Sequence, residues 1–265
     1  MDRREPLGAR HPEIARLRRL TGRRSARRED GCFVVEGHTL LAELLASDLH
    51  VETVYHSVDA DPPDDVPTEL LQPVAAGVLE RALDTVTSRG VAAVAAIPES
   101  DPGEVLAAAA AAERPVVVAV ELADPGNLGT IVRAAEASGC AALLATERTV
   151  DLWSPKVVRS AAGATFRLPV LDVGLASGAL RACEAAGFAT VALVLDGDAT
   201  IDAVDLSGAA AIVVGNEAHG LAQEVADACT TRARIVMEGP TESLNVAMAT
   251  TVVCFEAMRQ RRALA

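Results

Sequence analysis

Gly239-Pro-Thr-Glu-Ser-Leu-Asn-Val-Ala-Met-Ala-Thr250 decides how this chain of 265 residues is read. A Gly-Pro turn opens it. Ser243 and Asn245 then stand at the start of an apolar helical run that continues to about Arg259. Ser and Asn are good N-cap residues because their side-chain oxygens accept from the free N–H groups of a first helical turn. The preceding run, Arg232 to Met237, is strand-like. Two small polar side chains therefore meet a helix start just past a strand end, which is where α/β folds collect ligand-binding groups.

Two more segments share this construction. Val116-Val-Val-Ala-Val120 is a short apolar run, followed by Asp124-Pro-Gly-Asn-Leu-Gly129 and the helical Thr130-Ile-Val-Arg-Ala-Ala-Glu-Ala-Ser-Gly139. Ala209-Ala-Ala-Ile-Val-Val214 leads into Gly215-Asn-Glu-Ala-His-Gly220 and another helix. Three strand–polar loop–helix units thus bring Asn127, Arg133, Glu217, Ser243 and Asn245 into play.

In this order and spacing the three segments resemble the SpoU/TrmH family of RNA 2′-O-ribose methyltransferases, part of the SPOUT class. The likeness rests on Asn127-Leu-Gly-Thr-Ile-Val-Arg133, Gly215-Asn-Glu217 and Glu242-Ser-Leu-Asn-Val246, with Ser154-Pro-Lys-Val-Val-Arg-Ser-Ala-Ala-Gly163 between them. It spans roughly residues 115–262. A weaker likeness, over Arg18 to Leu45 and Asp84 to Ile97, is to the substrate-binding domain that often precedes this methyltransferase domain.

Composition sets the bounds. The length suits one large or two small domains, and half the residues are hydrophobic. Aromatics are only 2%, too few for a base-stacking platform on single-stranded RNA. There is no apolar run of about 18 residues and no apolar h-region behind the Arg-rich start, so neither a membrane span nor a signal peptide is expected. Five widely spaced cysteines without a CxxC pair, and no His cluster beside them, point to a reduced cytoplasmic protein without a structural metal. The formal net charge of −13 is unevenly spread. Residues 1–28 hold ten arginines against three acids, a net of +7, which leaves −20 on the other 237 residues. Either this stretch is a solvated tail or its guanidinium groups, Arg23, Arg24, Arg27 and Arg28 among them, grip phosphates and release counterions. The second reading is preferred.

The expected fold class is α/β. A small α/β domain carries strands at Cys32–Val35, Val51–Tyr55 and Val91–Ile97, with helices at Glu36–Leu45 and Val78–Leu83. Asp59 to Pro67 reads as a loop. After Pro98 the Ala-rich stretch 107–112 reads as a helical linker. The division is an Arg-rich segment 1–28, an RNA substrate-binding domain 29–98, a linker 99–114 and a methyltransferase domain 115–265. In the last, strands near 116–120, 141–145, 168–171, 189–195, 210–214 and 232–237 alternate with helices near 127–138, 155–162, 177–186, 220–227 and 244–260. That alternation implies a mostly parallel, Rossmann-like sheet covered on both faces. Nothing in the periodicity reveals a knot. The resemblance implies a deep trefoil knot near residues 210–250.

It also implies the chemistry. Methyl transfer from S-adenosyl-L-methionine needs the ribose 2′-hydroxyl placed near the activated methyl and relieved of its proton, with no metal. The family's bent cofactor is held by backbone of the knotted loops. This maps onto Gly215, Ile235 and Leu244, with Leu195 and Met237 as further walls; Met237 fits an ordinary core as well. Arg133 corresponds to the residue that activates the hydroxyl. It acts either by transient proton loss or by staying charged and stabilising the alkoxide. Asn127 and Asn245 orient Arg133 or the ribose, or are helix caps. Glu217 pairs with Arg133 or with a backbone N–H. Ser243 binds phosphate or holds the knot closed. Lys156 and Arg159, one turn apart, face RNA or solvent. His219 and Val236 depart from the family pattern; Val236 stands where Pro is usual, and His219 is assigned no role.

A nicotinamide-dependent oxidoreductase would need G-x-G-x-x-G, and Gly126-Asn-Leu-Gly129 lacks it. A non-catalytic RNA-binding or ribosome-assembly protein on the same fold is disfavoured by the full set of polar site residues, and a base methyltransferase by the Asn…Arg first motif. Large-subunit (23S) rRNA is the preferred substrate, with tRNA the alternative. The resemblance implies a homodimer, and the Val246 to Met258 helix offers an apolar face suited to such an interface.

Overall fold

The computed structural model describes residues 4–83 and 90–264. Residues 84–89, part of the weaker sequence likeness, lie outside them. The chain forms two compact units, residues 1–99 with 153–166, and residues 100–152 with 167–265.

The first unit begins with α1 (Pro12–Gly22) and α2 (Arg24–Asp30). The Arg-rich stretch is therefore part of this unit and not a separate tail. Its few apolar residues, Ile14, Leu17 and Leu20, fall on one face of α1 and are fully buried, while the arginines occupy the rest of the helix. Pro12 sits in the first turn, where its missing N–H costs nothing. Beyond it run β1 (Cys32–Glu36), α3 (His38–Leu45), β2 (Val51–Ser57), β3 (Leu71–Val74), α4 (Val78–Leu83) and β4 (Val91–Ala96). The sheet order is β1-β4-β2-β3. Strand β3, not foreseen, pairs parallel to β2 at the sheet edge, the position that tolerates Pro73.

The second unit opens with α5 (Pro102–Ala111), capped by Asp101, whose side chain accepts from Glu104 N. Then come β5 (Val116–Ala119), α6 (Pro125–Ser138) and β6 (Ala142–Ala145). The chain next returns to the first unit through α7 (Pro155–Ala161) and a short 3₁₀ turn. Aromatic side chains fasten it there: Phe33 packs tilted against Trp153 and Phe166, with ring centres 4.6 Å and 6.0 Å apart. The segment 115–265 is accordingly not one continuous unit. The remaining elements are β7 (Val170–Asp172), α8 (Ala176–Ala185), β8 (Ala189–Leu193), β9 (Ala199–Thr200), β10 (Ala210–Val214), α9 (Gln223–Asp227), β11 (Thr231–Arg234) and α10 (Val246–Leu264).

These strands make a seven-stranded sheet, β7-β6-β5-β10-β8-β11-β9, with every pairing parallel. All residues of β5, β6 and β10 are buried, as expected for strands covered on both faces. Helix α10 packs on α6, burying Thr250, Val253, Cys254 and Ala257. Two expected elements are shorter than read: α9 begins at Gln223 and β11 ends at Arg234. Among the described residues no helix is long and apolar enough to cross a membrane.

Candidate active site

The loops leaving β5, β10 and β11 meet at the carboxyl edge of the sheet, the edge where open α/β sheets bind ligands. Asp124 starts α6 by accepting from Asn127 N at 2.9 Å, with Pro125 in the first turn. That places Asn127 in the first turn of the helix and Arg133 six residues, about 1.7 turns, further along.

Glu217, just past β10, turns back toward β5. Its Oε2 accepts from Ala123 N, and its Oε1 from Asp124 N and Asn127 Nδ2, each at 3.0 Å. Of the two sequence alternatives, pairing with backbone N–H is the one formed. Partial burial pushes the carboxyl upward, but these donated bonds outweigh it and hold its pKa below the ordinary value of 4.5. Asn127 Oδ1 in turn accepts from Asn245 Nδ2 at 3.0 Å. Asn245 Oδ1 caps α10, accepting from Ala247 N at 2.9 Å and Met248 N at 3.3 Å. Of the two sequence alternatives for Asn245, the cap is formed, and its amide also holds Asn127. A continuous chain Glu217–Asn127–Asn245 joins the three loops.

Asn216 ties the same loops a second way. Its Nδ2 donates to Glu121 O at 2.9 Å, and its Oδ1 accepts from Ala218 N at 2.9 Å. Glu121 itself adopts φ +52°, a conformation L-residues hold only when neighbours enforce it. Arg133 is exposed on α6, and among the described residues it forms no hydrogen bond or ion pair.

Beside this chain lies a cavity of about 400 Å³. Its lining includes all five expected wall residues, Leu195, Gly215, Ile235, Met237 and Leu244, together with Ser243 and Glu217. Leu195 is 67% exposed and Leu244 38%, unusual for leucines that merely fill a core. The volume lies within the roughly 300–1,000 Å³ typical of small-molecule sites. A lining that mixes apolar side chains with Asp196, Asn216, Glu217, Gln223, Arg232 and Ser243 suits a nucleoside carrying a charged tail.

Gly215 needs a corrected reason. A Cβ there would lie 2.3 Å from Gly220 C and 2.4 Å from its O, so the glycine is required by the turn of its own loop before any ligand approaches. Arg27 is also corrected. It is 4% exposed, and its Nη1 donates to Leu20 O and, at 3.1 Å, to Thr21 O, satisfying the last carbonyls of α1. It is not an RNA-facing residue, whereas Arg23 and Arg28 are exposed and Arg24 is half-buried. Lys156 and Arg159, both exposed, lie on α7 in the first unit, and Arg159 Nη1 pairs with Glu36 at 3.1 Å. Sequence reasoning missed Asp124, although Asp-Pro before a helical pattern is a legible start signal. It also missed Asp196 and Arg232, which line the cavity.

A parallel sheet with a ligand cavity and an ordered polar chain at its carboxyl edge is the design of an α/β enzyme. Comparison narrows it. Residues 114–255 match the SpoU rRNA methylase family, and residues 11–93 match the MRM3-like substrate binding domain. An uncharacterised tRNA/rRNA methyltransferase of Mycobacterium sp. (strain KMS) is 32% identical over 95% of this chain and 85% of its own length. The 23S rRNA (guanosine(2553)-2′-O)-methyltransferase RlmP of Bacillus subtilis (strain 168) is 30% identical over 86% and 89%. The SpoU methyltransferase AviRb from Streptomyces viridochromogenes, solved in complex with AdoMet, superimposes with a TM-score of 0.84 at 26% identity, over 96% of this chain and 99% of that one. The chain belongs to the SpoU rRNA methylase family and is an S-adenosyl-L-methionine-dependent RNA methyltransferase. Its second unit has the knotted α/β fold of that class.

Proposed function

We propose that the protein methylates a ribose 2′-hydroxyl of 23S rRNA in the cytoplasm, acting as a homodimer and without a metal. The observation that carries this reading is the Glu217–Asn127–Asn245 chain at the edge of the cavity. Bound in the cavity, S-adenosyl-L-methionine supplies a methyl group activated by its sulfonium. Leu195, Ile235, Met237 and Leu244 enclose its apolar part and exclude water, while the loop that Gly215 permits supplies backbone groups. Asn127 and Asn245, each oriented by the other, position the ribose. Arg133 either holds the nucleotide phosphate while stabilising the forming alkoxide, or takes the proton from the 2′-hydroxyl after losing its own. Ser243, at the cavity edge, serves the nucleotide phosphate.

The relatives named for 2′-O-methylation of 23S rRNA support the ribose and the rRNA. The exposed stripe Met248, Val252 and Phe255 on α10, at helical spacing, supports the dimer. Arg23, Arg24 and Arg28 on α1–α2 and Lys156 and Arg159 on α7 offer the first unit's cationic side chains to RNA. The test is mapping of 2′-O-methyl sites in total RNA with and without active protein, and with Arg133→Ala. A 23S ribose that loses methylation in the absence of active protein supports the proposal. A change confined to tRNA, or to a base, refutes it. Retained transfer in excess chelator is expected, and a requirement for an added divalent ion would refute the metal-free reaction.

A further inference from the structure

Two charged groups of the cavity have no part in the chemistry above. Asp196 stands beyond the end of β8 with its side chain 76% exposed, and it lines the cavity. Arg232 on β11 holds it, Nη2 donating to Asp196 Oδ2 at 2.8 Å. The other end of the same guanidinium donates to Asp227 Oδ1 at 3.3 Å. Two carboxylates share one arginine, so the group keeps one net negative charge.

The backbone fixes this carboxylate as firmly as the ion pair does. Strands β8 and β11 are in register here, Arg232 opposite Ala192. At the next residue after Asp196, a Cβ on Gly197 would lie 2.5 Å from Ala233 C, so the two chain segments cross in contact. An ion pair this exposed adds little to stability. Such rigidity makes sense for a group that must be in place before a ligand arrives. Glu217, the other acid lining the cavity, already accepts three hydrogen bonds. Asp196 Oδ1 has room for more.

We infer that Asp196 is a cofactor-binding residue, accepting hydrogen bonds from a donor group of S-adenosyl-L-methionine, and that Arg232 is its positioning residue. This rests on the methyltransferase reading above. The cofactor carries three kinds of donor, the ribose diol, the adenine 6-amino group and the α-ammonium. An acid at a strand end that meets a ribose diol recurs in nucleotide-binding α/β folds, which favours the diol. The bond donated by Arg232 holds the Asp196 carboxyl below its ordinary pKa.

The experiment is calorimetry on the full chain with two probes. S-adenosylhomocysteine has all three donors; 5′-methylthioadenosine keeps the diol and the adenine amino group and lacks the ammonium. Asp196→Asn is expected to weaken S-adenosylhomocysteine about tenfold or more, the value of a charge-assisted hydrogen bond, with an unchanged melting temperature. Equal losses for both probes assign the contact to the nucleoside half, where the diol is favoured, and a loss confined to S-adenosylhomocysteine assigns it to the ammonium. Arg232→Gln should weaken binding less, Arg232→Lys should recover part of the loss, and Arg232→Gln should add nothing in an Asp196→Ala background. Wild-type affinity for both probes in Asp196→Asn and Asp196→Ala overturns the inference while leaving the methyltransferase reading intact. A wild-type chain that binds neither probe overturns both.

Discussion

Glu217→Ala and Glu217→Gln separate the carboxylate's charge from its place in the polar chain. In the wild type, Oε1 serves two donors, Asp124 N and Asn127 Nδ2, and Oε2 serves Ala123 N. A glutamine keeps its single oxygen where it serves two donors, and sets an NH₂ against Ala123 N–H. Alanine leaves all three donors to water. A hydrogen bond to a charged group contributes about 1.5–3 kcal/mol, but this site faces solvent and water replaces part of it, so about 1 kcal/mol is expected for Gln and about 2–3 kcal/mol for Ala. At about 2–4 °C per kcal/mol for chains of this size, the melting temperature falls by a few degrees for Gln and roughly twice as much for Ala. The pH dependence has a definite sign. The folded pKa is depressed, so the carboxylate's contribution is complete above 4.5 and is lost as pH falls through the lower folded value. The gap in melting temperature between wild type and Glu217→Gln should therefore close in that acid range. Methyl transfer should fall as well, since Asn127 loses its orienting partner. Paired thermal melts at neutral and acid pH, with single-turnover assays, are the measurements. Wild-type melting and wild-type turnover in Glu217→Ala would refute the claim that this chain orders the site.

Arg133→Ala should lower single-turnover rates by roughly 10²–10³-fold while S-adenosyl-L-methionine affinity stays within a few-fold, because the side chain is proposed to act in the transition state; Arg133→Lys should also be poor, and near-normal rates in either variant would remove Arg133 from the reaction. Gly215→Ala should lower the melting temperature before any ligand is added, since its Cβ meets Gly220 backbone at 2.3 Å; a stable variant that merely loses cofactor affinity would show that the ligand alone demands the glycine. Arg27→Ala should cost about 1–3 kcal/mol of stability and leave the salt dependence of RNA binding unchanged. Arg23→Ala and Arg28→Ala should do the reverse, each reducing the slope of log affinity against log salt by about 0.7–0.9; parallel lines for all three variants would exclude these arginines as phosphate contacts. Deleting residues 1–28 is no clean test, because it removes Ile14, Leu17 and Leu20 from the core.

What was legible in the sequence follows from how local its cause is. Strands β5 and β10 are unbroken apolar runs, and their polar loops announce the sheet's carboxyl edge. The sequence put Asn127, Glu217 and Asn245 on loops that the structure brings together, but their mutual bonds join residues 90 and 118 positions apart, which no local pattern encodes. Helix α1 was hidden by composition: three apolar residues spaced by three are a sparse stripe among arginines, yet a buried stripe is what makes a helix part of a core. The return of α7 to the first unit depends on Phe33 meeting Trp153, a contact across 120 residues of chain. Strand β3 is four residues long and contains Pro73, which argues against a strand unless the sheet edge is already known.

The partners chosen by the site's acids bear on why Arg133 is free. An arginine near carboxylates normally pairs, and a paired guanidinium offers less charge to a substrate. Glu217 reaches the loop that begins the helix bearing Arg133, but its oxygens are occupied by Ala123 N, Asp124 N and Asn127. Asp124 is engaged as the cap of α6. Asp196 and Asp227 are engaged by Arg232. Each of these carboxylates has a donor of its own, and Arg133 stands on an exposed helix face. On the proposed reading that positive charge meets the nucleotide phosphate or the oxygen from which the proton leaves. Asn127→Ala should then depress single-turnover rates by disordering the ribose site, while Glu217 Oε1 stays engaged by Asp124 N; wild-type rates in that variant would refute the role given to Asn127.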